Sequence, residues 1–74
     1  VGTIGVDDSG DNTHILNSYF FGCQLPIRSS GTRTEYHYNR MESTVGANTI
    51  DHVSGTVGNW TMNTLDKILK QPSL

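Results

Sequence analysis

The stretch "TMNTLDKILKQ" (Thr61–Gln71) decides how this chain is read. Met62, Leu65, Ile68 and Leu69 recur at helical spacing. Asn59 or Thr61 is placed to cap the start, Asp66 lies early, Lys67 and Lys70 lie late, and Pro72 follows as a stop. The pattern predicts a C-terminal helix. Its apolar stripe is narrow, so it must dock on a sheet or on a neighbouring chain.

Upstream, the pattern changes to strand and turn. "VGTIGV" (Val1–Val6) reads as a first strand and "DDSGDN" (Asp7–Asn12) as an Asx-rich turn. "HILNSYFFG" (His14–Gly22) reads as a second strand with apolar groups on both faces. "CQLPIRSSG" (Cys23–Gly31) reads as a connection, because Pro26 lacks the N–H a central ladder needs. In "GTRTEYHYNRME" (Gly31–Glu42) alternation puts Thr32, Thr34, Tyr36, Tyr38 and Arg40 on one side. Arg33, Glu35, His37, Asn39 and Met41 fall on the other, wetter side. "TIDHVSGTVGNW" (Thr49–Trp60) is a weaker fourth strand, interrupted at Gly55. No internal repeat is expected. The expected fold is a small β-rich α+β domain of about four short antiparallel strands plus one C-terminal helix. Residues 1–74 form one small domain or a processed fragment of a larger assembly.

The 74 residues carry a net charge of −2, which argues against nucleic acid as a dedicated partner. Charged residues are 16% of the chain, and polarity comes instead from nine Thr, seven Ser, six Asn and eight Gly. Cys23 is the single cysteine, so no internal disulfide forms, and His14, Cys23, His37 and His52 lack the spacing of a zinc site. No metal ligand set and no cofactor is expected. "DDSGDN" lacks the glycine and glutamate that a calcium-binding loop of the EF-hand type requires. No apolar run approaches the ~20 residues of a spanning helix, so no transmembrane segment is expected.

The only constellation with catalytic types is Arg33, Glu35 and His37, which share a strand face. "LPIRSSGTRTE" resembles the strand that carries the catalytic glutamate of small microbial ribonucleases. That resemblance implies Glu35 as base, with His37 as acid and Arg33 or Arg40 facing a phosphate. "GTRTEYHYNRMESTV" is similar to the YD repeat of toxin-encasing shells and teneurins. "GTIGVDDSGDNTHILNSYFFG" is similar to a glycine-rich adhesin repeat. Both of these imply β-structure in scaffolding proteins.

A chain this short buries only roughly 60% of the surface its unfolded form exposes. No internal staple compensates, so the expected role is a non-enzymatic structural or interaction module. It would be a subunit or peptide of a larger virion or cell-surface assembly, with other protein subunits as homo- or hetero-oligomeric partners. No catalytic residue is assigned in that reading. The binding residues expected are Tyr36, Tyr38, Arg40, Trp60, Met62, Leu65, Ile68 and Leu69. The alternatives are the small RNA hydrolase and a glycan- or peptide-binding β-module using Tyr36, Tyr38 and Trp60.

Overall fold

A computed structural model describes residues 3–71 and shows strands alone, wound as a parallel β-solenoid of about three turns. The strands are β1 (Ile4–Asp8), β2 (His14–Leu16), β3 (Tyr19–Phe21), β4 (Leu25–Ser29), β5 (Thr34–His37), β6 (Arg40–Glu42), β7 (Asn48–His52), β8 (Val57–Thr61) and β9 (Ile68–Lys70). They stack into three parallel sheets ordered β1-β4-β7-β9, β2-β5-β8 and β3-β6. Each of the first two coils contributes one strand to each sheet in turn, while the third contributes β7 and β8 and meets the third sheet only through a bridge between Arg40 and Thr64.

The register shows the repeat. Val6 lies against Ile27, His14 against Glu35 and Tyr19 against Arg40, each a step of 21 residues. The next coil is longer: Ile27 lies against Ile50 and Tyr36 against Trp60, steps of 23 and 24. Bulges between Thr34 and Tyr36 and between Asn48 and Ile50 absorb the irregular lengths.

Stacked coils make columns of side chains. Val6, Ile27, Ile50 and Leu69 form one inward column. Ile15, Tyr36 and Trp60 form a second, and Phe20 and Met41 a third. The bridge from Arg40 to Thr64 sets Leu65 above Met41. Outside the first sheet, Asp7, Arg28, Asp51 and Lys70 alternate in sign up the coils, with Arg28 3.9 Å from Asp7. Adjacent opposite charges on a sheet face contribute roughly 0.2–1 kcal/mol per pair.

The corners are left-handed residues. Asn17, Tyr38 and Met62 have φ of 48°, 57° and 48°, one above another. Asn12 and Arg33 (59° and 57°) make a second corner, and Gly22 and Ser43 (70° and 53°) a third. A single residue in this region turns the chain sharply between two extended segments. After each Asn17-type corner an inward polar residue follows: Ser18, Asn39 and Asn63. Gly31 is required at its own turn, because a Cβ there would lie 2.5 Å from Asp8 Oδ2. Gly55 combines a φ of 82° with close approach to the Gly31 carbonyl.

Several expectations are corrected. The C-terminal helix does not form, and the fold is not α+β. Thr61 ends β8, Met62 is a corner, Leu65 packs inward and Ile68–Lys70 is β9. The spacing of Met62, Leu65, Ile68 and Leu69 comes from a corner between strands, and parallel pairing with β7 captures the segment. The strands are parallel and number nine among the described residues, not about four and antiparallel. His14–Gly22, Gly31–Glu42 and Thr49–Trp60 each split in two. The supposed connection at Pro26 is β4, tolerated because pairing with β7 begins only at Ile27. Val1, Gly2 and the expected stop at Pro72 lie outside the described residues.

Candidate interaction surface

Three exterior or end features and one buried network carry the polar and aromatic chemistry. The buried network lies where β1, β4 and β7 end. Asp8 Oδ1 accepts from the Gly10 N–H (2.9 Å) and the Thr13 hydroxyl (2.7 Å). Asp8 Oδ2 accepts from Ser29 (2.9 Å) and Thr34 (2.7 Å), both fully buried. Burial alone would raise this carboxyl, but the four donors outweigh it and hold Asp8 at about 2. Above it, the Tyr36 hydroxyl lies 3.0 Å from His52 Nδ1. These groups face the coil interior, so they serve cohesion between coils.

On the outer face of the second sheet, Glu35 lies between two imidazoles. His37 Nε2 is 2.9 Å from Oε1 and His14 Nε2 is 3.7 Å from Oε2. The hydrogen bond from His37 leads the causes that hold Glu35 below its ordinary range. The arginines expected to face a phosphate lie elsewhere. Arg33 forms a corner and spends its guanidinium on Asp11 Oδ1 (2.7 Å) and Asn12 Oδ1 (3.0 Å). Arg40 is held by Glu42 at 2.7 and 2.8 Å on the third sheet. The strand brings Glu35 and His37 together and separates both arginines from them. Among the described residues no three His, Cys, Asp or Glu side chains are placed to hold a metal ion.

On the third sheet, Tyr19 and Phe21 project outward, 59% and 64% exposed, with ring centroids 6.2 Å apart. The Tyr19 hydroxyl donates to Glu42, the carboxylate that also binds Arg40. This aromatic pair was not among the expected binding residues. Its signal in the sequence is the alternation Tyr19–Phe20–Phe21, which puts only Phe20 inside.

The end of the stack beyond β8 is the fourth feature. Trp60 belongs to the inward column and packs on Tyr36 with centroids 5.4 Å apart. Tyr36 has 0% exposure, whereas Trp60 has 38%. Among the described residues no strand pairs with the far edge of β8.

The expected binding residues therefore scatter. Tyr36 is in the core, Tyr38 and Met62 are exposed corners, and Arg40 lies on the third sheet. Leu65 and Leu69 pack against the core, Ile68 is exposed on β9, and Trp60 stands at the stack end. Between β7 and β9 a pocket of about 170 Å³ is lined by Asp51, His52, Val53, Lys70 and Gln71. No helix of the described residues is long and apolar enough to cross a membrane.

No protein-family model matches this chain, and neither a curated protein nor a solved structure does.

Proposed function

We propose that this chain is a non-enzymatic structural module that works by stacking with further β-structure from another protein subunit. The observation that carries this reading is Trp60. It occupies a core column, yet its far face is open, as is the edge of β8 beside it. Parallel coils bury their apolar faces only against neighbouring coils, so stacking is the way this architecture gains stability. An open edge with unpaired backbone groups is also a template for strand addition. The hydroxyl- and glycine-rich, charge-poor composition suits a virion or cell-surface assembly.

The test is sedimentation of the chain combined with acrylamide quenching of Trp60. Concentration-dependent association that shields Trp60 supports the reading. A rigid monomer throughout the micromolar range whose Trp60 is already shielded overturns it.

A second reading, a glycan- or peptide-binding β-module, is supported by the exposed Tyr19–Phe21 pair beside Arg40 and Glu42. Aromatic faces next to fixed polar groups suit sugar rings and extended peptides alike. Amide shifts on β3 and β6 during titration with oligosaccharides or peptides support it, and unmoved signals at millimolar ligand exclude it.

A further inference from the structure

The inner corner that follows Asn17, Tyr38 and Met62 carries a ladder that runs through all three coils. The Asn39 side chain accepts from the Ser18 N–H through Oδ1 (3.0 Å) and donates through Nδ2 to the Ile15 carbonyl (2.8 Å). One coil on, the Asn63 side chain accepts from the Asn39 N–H through Oδ1 (3.0 Å) and donates through Nδ2 to the Tyr36 carbonyl (2.8 Å). The two side chains are also joined, Asn39 Nδ2 donating to Asn63 Oδ1 at 2.9 Å.

The rule is the same at both rungs. The amide of one coil closes the backbone N–H of the polar residue below it and the carbonyl three residues before that residue. For the next rung these groups are the Asn63 N–H and the Trp60 carbonyl, in the register Ile15–Tyr36–Trp60. Among the described residues no side chain stands above Asn63. The same end carries the uncovered ring of Trp60.

We infer that the stack end at Trp60 and Asn63 is a recognition surface for a parallel β-coil segment bearing a corner asparagine. Its left-handed residue would stack on Met62, its asparagine side chain would bond the Asn63 N–H and the Trp60 carbonyl, and its inward apolar residues would cover Trp60 and Leu65. This inference rests on the stacking reading and adds the chemistry of the partner. A strand with an apolar residue at the corner brings no such bonds and leaves two backbone groups buried without partners. Each such loss costs about 1–3 kcal/mol.

The probe is a synthetic peptide of this chain's own middle coil, Thr34–Glu42, which holds Tyr36, Tyr38, Asn39 and Met41 in the required order. It is titrated into the full chain labelled with nitrogen-15. The expected result is a shift of the Asn63 amide and the Trp60 indole signals, with affinity about tenfold weaker for the Asn39→Ala peptide. Equal affinity of the two peptides at those signals overturns the asparagine requirement while leaving stacking intact. Shifts confined to β1–β3, or none at millimolar peptide, overturn the recognition surface. The sedimentation experiment above judges the stacking reading by itself.

Discussion

The Tyr36 hydroxyl lies 3.0 Å from His52 Nδ1, with the rings edge to face at 6.3 Å, and neither residue has more than 1% exposure. The pair ties the second coil to the third inside the stack. The other ring nitrogen, His52 Nε2, has no partner among the described residues. Removing the hydroxyl would leave both nitrogens unpaired. Tyr36→Phe is expected to destabilise the chain by about 1–3 kcal/mol in urea denaturation. An unchanged midpoint would show that the hydroxyl contributes nothing to cohesion.

Asp8 gives the fold an acid limit. Its folded carboxyl is held at about 2, below the unfolded value near 4, so the unfolded chain binds this proton first. The stabilisation is complete above about pH 4 and is lost as pH falls toward about 2. Asp8→Asn is expected to flatten part of that slope, because an amide has one acceptor oxygen for four donors. Identical acid denaturation profiles for the two proteins would refute the assignment.

Asn39 supplies side-chain bonds to three neighbours in the two coils on either side of it: Ile15 and Ser18 in the first and Asn63 in the third. Asn39→Ala strands the Ser18 N–H and the Ile15 carbonyl inside the stack. The expected loss is about 2–3 kcal/mol, read as a lower urea midpoint. Asn39→Asp keeps the acceptor for Ser18 but sets a carboxylate oxygen against the Ile15 carbonyl and Asn63 Oδ1, both acceptors, so it should lose at least as much as Asn39→Ala.

The corners predict opposite responses to glycine and alanine. Met62 is 76% exposed at a φ of 48°, so Met62→Gly relieves backbone strain at little packing cost. A gain of up to about 1 kcal/mol is expected. Gly55→Ala adds a Cβ against the Gly31 carbonyl at a φ of 82° and should destabilise by more than that. Thermal melts of the two variants read both signs.

Part of this architecture was legible in the residues. Within β5, alternation correctly put Thr34 and Tyr36 inside and Glu35 and His37 outside. The same alternation failed one residue later. The left-handed Tyr38 reverses the phase, so Tyr38 and Arg40 face solvent while Asn39 and Met41 are buried. A repeat was also present and unread: Ser9-Gly10, Ser30-Gly31 and Ser54-Gly55 recur near the coil spacing. Unequal coils, with steps from 19 to 24 residues, blur it. The candidate interaction surface was less legible, because Trp60 and Tyr36 read as equivalent aromatics and only stacking makes one a core residue and the other an end.

By itself the sequence determined extended structure broken by polar turns, and the inward and outward faces of short runs such as Thr34–His37. Strand direction, the split of each long run and the fate of Thr61–Gln71 were decided only in three dimensions. The reason is physical: parallel partners lie a whole coil away, and no local preference holds Tyr38 or Met62 at positive φ. Both are set by the stacking of one coil on the next.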